Sequence, residues 1–366
     1  MSLKVQVLQA GYTLLDKGMI PDFVLRAVIR LLCRERIREI NLGSFERNSE
    51  AKMQWIEAVR ARTAIADFTE KANEQHYEVS TNFILSCLGH YGKYSCCYYP
   101  KGDETLDEAE ILMMENYCVR AKLADGQRIL DLGCGWGSLT LYLAEKYPKA
   151  HITSLSNSAT QKAHIERIAK ACGLNNIQVI TADVNSFDFD EPVQFDRILS
   201  IEMFEHMKNY KLLLAKVSSW LRPSSDLAPD DALLFIHIFC HRTTPYHFEE
   251  GDGWMAKTFF SGGTMLSHDL LLYFQDDLNL VRSWYLNGQH YARTSEHWLQ
   301  RQDQNAAQGL TELENDAEAK GLSREEGRKA FYRFRVFYLA CAEFFGLNGG
   351  EEWGVGHYLF KRKDAM

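Results

Sequence analysis

Glu202, Glu205 and His206 stand together in Ser200-Ile-Glu-Met-Phe-Glu-His206, at the end of a short apolar run. Glu202 and His206 are four residues apart, so on a helical turn they would stack, with Glu205 on an adjacent position. As a metal site the cluster is poor. Two carboxylates and one histidine with no further ligand nearby do not close a zinc shell, so no metal is expected. As helix caps and surface charges the three groups would do nothing chemical. As a catalytic set they offer carboxylates that hold a cation and an imidazole that moves a proton near neutral pH. Their clustering at a strand mouth favours catalysis.

Such a set needs a scaffold that presents a reagent to it. Arg128-Ile-Leu-Asp-Leu-Gly-Cys-Gly-Trp-Gly137 runs from an apolar strand through Gly133, Gly135 and Gly137 into a helix-like segment, Leu139 to Tyr147. That is the opening of a nucleotide-binding α/β unit. A dinucleotide fingerprint starting at Gly133 would need glycine at 138, which is Ser138. The D-x-G-x-G-x-G spacing instead resembles motif I of the class I S-adenosylmethionine-dependent methyltransferases.

From 128 onward, strand patterns at 128–132, 151–155, 177–181, 196–200 and 232–239 alternate with helical stretches, notably 158–172 and 209–220. Alternation of this kind builds a mostly parallel sheet with helices on both faces. Ligands of such sheets sit beyond the carboxyl ends of the strands. Ser154, Ser156, Asn157 and Gln161 follow the second strand, and Asp183 and Val184 follow the third. Neutral Asn157 and Gln161, each offering a donor and an acceptor, would hold the ribose hydroxyls. Asp183 would accept the adenine amine, with Val184 against the ring. With Gly133 and Gly135 these form the expected site for S-adenosylmethionine, whose product is S-adenosylhomocysteine.

Residues 1–120 read mostly as helix and form an N-terminal cap. Phe23, Val24, Ala27, Val28, Leu31 and Leu32 recur at helical spacing among Arg26, Arg30, Arg34, Arg36 and Arg38. Ile37 and Ile40 extend this apolar side, and the favoured expectation is a helix packed on the catalytic domain with its arginines in water. Residues 121–366 form the catalytic domain, with a helical insertion around 241–350 that holds a Gly/aromatic loop from Gly251 to Thr264. Phe331, Phe334, Tyr338, Cys341 and Phe345 fall at helical spacing and read as core. The closing run Gly356–Arg362 reads as a final edge strand. Tyr98, Trp254, Phe259 and Phe260 are aromatic residues that could wall the site and face a cation.

The net charge of -8 and the lack of a basic tract near the motifs exclude a protein whose main partner is nucleic acid. The nine cysteines show no zinc-type pairs and read as reduced thiols. With neither a leader-like start nor a long apolar run, the expected location is cytoplasmic, without stable membrane association. A homodimer is the default expectation.

The sequence is similar to the plant coclaurine N-methyltransferase-like family, alkaloid N-methyltransferases related to cyclopropane fatty acid synthases. The resemblance is carried by Ser200–Tyr210, Tyr94–Tyr99, Asp131–Gly137, Ser154–Gln161, His237, Phe259–Met265 and Tyr273–Asp277. It implies a class I methyltransferase fold, Rossmann-like, with a mostly parallel seven-stranded sheet and a helical cap, and a small cationic amine as substrate. It also implies Glu205 and His206 as the catalytic pair, Glu78, Glu202 and His237 near the substrate, and Ser95 at the cofactor. An alkylamine, of pKa near ~10, arrives as ammonium with no lone pair to attack a sulfonium. A carboxylate holds that cation but raises its pKa further, so Glu205 suits orientation and His206 suits proton acceptance. In the lipid-modifying relatives Cys96, Glu205 and His237 would match a bicarbonate pocket used to methylate an alkene. Phe239 would crowd that anion, which favours the amine.

Overall fold

The computed structural model describes residues 11–66, 80–189, 194–223, 232–248, 259 and 263–363. Among the described residues, the helices before the sheet include α1 (Asp22–Ile40), α2 (Phe45–Arg60), α3 (Thr81–Cys87) and α4 (Leu106–Arg120). Then β1 (Arg128–Leu132), α5 (Ser138–Lys146), β2 (His151–Ser156), α6 (Ala159–Cys172) and β3 (Ile177–Thr181) alternate. They are followed by β4 (Arg197–Ile201), α7 (Tyr210–Trp220) and β5 (Leu233–His241). Beyond these lie β6 (Tyr246–His247), β7 (Thr264–Ser267), β8 (Leu278–Asn287), α8 (Gln289–Gln304), α9 (Ala306–Ala319), α10 (Arg324–Gly346) and β9 (Trp353–Arg362).

The main path of the sheet is β3-β2-β1-β4-β5-β9-β8, parallel except for β9, which runs antiparallel to both neighbours. The short β7 extends the end of β5 in parallel and pairs with β6. Strand order reverses at β1, which lies between β2 and β4, and connections diverging there open a crevice at the strand ends. The apolar runs of β4 and β5 are buried along most or all of their length, as strands covered on both faces must be.

Two expectations are corrected. The closing strand is not an edge. β9 is inserted between β5 and β8, and Trp353 to Phe360 are all buried, so the edge falls to β8. The first helix also docks by a different side. Ile37 and Ile40 face the core as expected, but they do so with Leu25, Ile29 and Cys33, while Phe23, Val28, Leu31 and Leu32 point outward, Phe23 being 75% exposed. Arg26 reaches inward to Glu296 (2.5 Å) and Glu343 (2.8 Å), and Arg30 to Glu343 (2.6 Å). The inner stripe spans more turns than the outer one, and the carboxylates on α8 and α10 select it. The aromatic stripe on α10 is buried, as expected.

A strap after α2 crosses the strand ends. The Ile65 carbonyl accepts from the Lys208 and Asn209 backbone N–H groups at 2.6 and 3.1 Å. Asn209 Nδ2 donates to the Arg62 carbonyl, and the Ala66 N–H donates to Asn185 Oδ1 at 2.8 Å. The helical segment is thereby tied to the loops after β3 and β4. All nine cysteines are free. Among the described residues no helix is long and apolar enough to cross a membrane.

Candidate active site

The glycine turn after β1 folds back on β2, where the Leu155 carbonyl accepts from the Gly133 and Cys134 N–H groups at 2.9 and 3.0 Å. Gly133 and Gly135 have φ of 85° and 52°, and a Cβ built at Gly135 would meet nothing within 4 Å. The backbone there is bare toward an open cleft. On one side the cleft is lined by Ser156, Asn157, Gln161, Asp183, Val184, Met203 and His206. On the other it is lined by Lys93, Ser95, Tyr117, Asp131 and Trp136. Gly133, Gly135 and Glu202 border both chambers.

All seven expected cofactor residues border one chamber or the other. Gln161 is the most telling. It is 1% exposed, Ser156 Oγ donates to its Oε1 at 2.6 Å, and its Nε2 has no partner. A buried donor left over at the cleft wall fits a hydroxyl-bearing ligand. Asn157 stands exposed at the rim, and Asp183 Oδ1 accepts from the Asn185 N–H at 2.9 Å, which orients the carboxylate. Ser95 is buried beneath Lys93, whose ammonium donates to Ser95 Oγ and to the Cys96 carbonyl (2.8 Å) and lies 5.4 Å from the Tyr117 ring centre. Asp131 is buried behind the turn and accepts from Thr140 Oγ at 2.7 Å; burial pushes its carboxyl up to about 6. Gln161→Leu removes the leftover donor at similar volume and is expected to weaken S-adenosylmethionine binding by about 1–2 kcal/mol. Calorimetry checks this, and unchanged affinity would take Gln161 out of the cofactor site.

The Glu202–Glu205–His206 cluster does not form the expected helical turn. A three-residue 3₁₀ turn begins only at Phe204, and Glu202 has a positive φ of 48°. This left-handed backbone aims Glu202 away from a stack with His206 and toward the loop before α4. Glu202 Oε1 accepts from the Cys96 N–H at 2.9 Å and lies 3.0 Å from His237 Nε2, while Tyr291 Oη donates to Oε2 at 2.6 Å. Its side chain is 8% exposed. Burial raises its pKa, only partly opposed by the Lys93 charge and by the Tyr291 and Cys96 donors. Glu205 is the opposite case. It is 3% exposed, and its Oε2 has no partner. Burial first, and then the charge of Glu202, push its carboxyl well above the ordinary range. His206 lies with Glu202 on the wall of the first chamber.

The remaining expected residues scatter. His237 is fully buried and reaches the site through Glu202. Tyr98 is half-buried against the His290 ring, 4.9 Å between centres. Phe259 is buried, stacked on Phe337 at 4.5 Å with its edge toward Phe334. Glu78, Trp254 and Phe260 lie outside the described residues. Sequence reading missed Lys93, Tyr117, Tyr291 and His357. Lys93 adjoins the quoted Tyr94–Tyr99 motif and was the one within reach. Tyr291 belongs to an ordinary-looking helix, α8, and Phe345 from the aromatic stripe stacks on its ring at 4.2 Å.

Residues 66–342 match the family described as mycolic acid cyclopropane synthetase. The chain is 39% identical to (S)-coclaurine N-methyltransferase of Thalictrum flavum subsp. glaucum, covering 95% of this chain and 94% of that one. A crystal structure of coclaurine N-methyltransferase bound to N-methylheliamine and S-adenosylhomocysteine superposes with a TM-score of 0.90. That structure is 37% identical, covering 97% of this chain and 100% of the other. A cyclopropane synthase from Mycobacterium tuberculosis shares the fold at 23% identity and a TM-score of 0.64, over 81% of this chain and 99% of that one.

Proposed function

Since the chain belongs to the coclaurine N-methyltransferase-like family and is an S-adenosylmethionine-dependent amine N-methyltransferase, we propose that its acceptor is the nitrogen of a small aromatic alkaloid or phenylalkylamine, with the benzylisoquinoline type favoured. The observation that carries this reading is the contrast between the two glutamates. Glu202 is saturated with donors, and Glu205 keeps a buried oxygen without one. An unpartnered buried carboxylate is costly, and a cationic amine is the chemistry that satisfies it.

The chain's own contribution follows from these positions. Gly133, Gly135, Asn157, Gln161, Asp183, Val184 and Ser95 would hold the cofactor. When bound, S-adenosylmethionine supplies a methyl carried on a cationic sulfur, which a nitrogen lone pair takes while the sulfur leaves neutral. Glu205 orients the ammonium. His206, on the chamber wall, accepts or relays its proton and so exposes the lone pair. Glu202 is the fixed anion at the junction of the chambers, facing positively charged reactants. Alignment of the nitrogen accounts for most of the acceleration.

The alkene reading needs a free anion on Cys96 and His237. In the structure the Cys96 N–H and His237 Nε2 are both engaged by Glu202 Oε1, which supports the amine reading. Phe239 packs against Phe345, 6.2 Å between ring centres. Incubation with labelled cofactor decides the matter: label is expected in secondary and tertiary aromatic amines, and label entering unsaturated phospholipid instead would reverse the proposal. His206→Ala is expected to lower kcat by roughly 100-fold, with partial recovery at high pH where more amine is neutral. An unchanged pH profile would end the proton-accepting role.

A further inference from the structure

We propose that Arg120 and His357 are positioning residues that act through His237 to keep Glu202 an anion; this rests on the reading of Glu202 as the fixed charge of the site. His237 on β5 and His357 on β9 are cross-strand partners, and Trp284 on β8 completes the rung. Arg120, the last residue of α4, lays its guanidinium 4.9 Å from the centre of the Trp284 ring. From there a chain of contacts runs inward. Arg120 Nη1 is 2.5 Å from His357 Nδ1, His357 Nε2 is 2.8 Å from His237 Nδ1, and His237 Nε2 is 3.0 Å from Glu202 Oε1.

The guanidinium sets the direction of the bonds along this chain. A guanidinium only donates, so His357 Nδ1 carries a lone pair and its proton sits on Nε2. That proton points at His237 Nδ1, so His237 must carry its own on Nε2, aimed at Glu202. Tyr117 Oη also lies 2.9 Å from His237 Nδ1. Both imidazoles are fully buried, and burial lowers the pKa of each, so neither is a second cation. A carboxylate at the receiving end of such a chain is kept as an acceptor. Without His357, His237 is free to turn a proton toward Tyr117 and a bare Nε2 toward Glu202. Two lone pairs then face each other, and the carboxylate takes up a proton.

The test is the affinity of the full chain for S-adenosylmethionine relative to S-adenosylhomocysteine, by calorimetry. The first carries a sulfonium charge and the second does not, so their ratio reads the charge on Glu202, whereas altered packing moves both. His357→Phe is expected to lower the preference for the cation roughly tenfold. Arg120→Met is expected to do the same from the other end of the chain, even if His357→Phe does not fold. Arg120→Lys, which keeps a donating cation, recovers most of the preference. In a His237→Gln background the amide donates to Glu202 without a tautomer to choose, so His357→Phe changes the preference no further. An unchanged preference in His357→Phe and Arg120→Met, or an equal loss in both backgrounds, overturns the proposal. Glu202→Gln separates the two levels. If it erases the preference while Arg120→Met does not, only the histidine chain fails; if it too leaves the preference intact, the reading of Glu202 falls with it.

Discussion

Glu205→Gln is expected to raise the KM for the amine by roughly 100-fold, because a buried ammonium loses its carboxylate at a cost of several kcal/mol. Affinity for S-adenosylmethionine should stay within about threefold, since Glu205 does not border the two chambers around the glycine turn and Glu202 keeps its donors. The pH dependence has a definite sign. Burial and the neighbouring Glu202 raise the Glu205 pKa, so its carboxylate takes up a proton as pH falls through a value above the ordinary carboxylate range. The wild-type KM should therefore climb on that acid limb, while the variant's KM stays high and flat. Stability runs the other way. A carboxyl whose folded pKa is raised contributes stability below its unfolded pKa and loses it as pH rises through the folded one. Glu205→Gln should thus raise the melting temperature of the ligand-free protein more at pH 8 than at pH 5. Steady-state kinetics and thermal melts across that range decide it, and an unaltered KM would remove Glu205 from substrate binding.

Gly133→Ala is expected to abolish measurable cofactor binding while the chain still folds. A Cβ at this position would stand 2.7 Å from Met203 Cγ and 2.8 Å from Met203 Cβ. The second of these atoms is anchored to the backbone and cannot swing aside. The φ of 85° adds strain of about 1–2 kcal/mol for any residue with a side chain. Met203 lines the chamber, so relief comes by pushing it into ligand space. Calorimetry should show a loss of at least about 100-fold, and far-ultraviolet dichroism should be unchanged. Binding within a few-fold of wild type would mean that Met203 yields in another direction.

The lining of the cleft around the glycine turn was largely legible in the sequence because it is built from short-range features. Gly133, Gly135, Gln161 and Asp183 each lie within a few residues of the strand end that presents them, and strand–turn–helix patterns are read locally. The substrate side was less legible. Glu202, Glu205 and His206 were recognised as a cluster, yet the expected helical stacking did not occur, because Glu202 adopts a left-handed backbone before the 3₁₀ turn begins. The docking side of α1 was misread for a related reason. Its sequence offers two apolar stripes, and the choice is made by Glu296 and Glu343, hundreds of residues away. The placement of β9 likewise depends on β8 pairing outside it.

The amino-acid sequence by itself determined the type of cofactor, the glycine turn after the first strand and the presence of a small group of ionisable residues near it, since those rest on spacing along the chain. Tertiary structure decided what each glutamate is. Glu202 is satisfied by Cys96, His237 and Tyr291, which come from three distant segments, whereas Glu205, three residues on, is buried with an oxygen unclaimed. Two identical side chains thus differ in surroundings because hydrogen-bond donors are delivered through space, by the β5–β9 rung and by α8, and a linear pattern does not encode which of them will receive those donors.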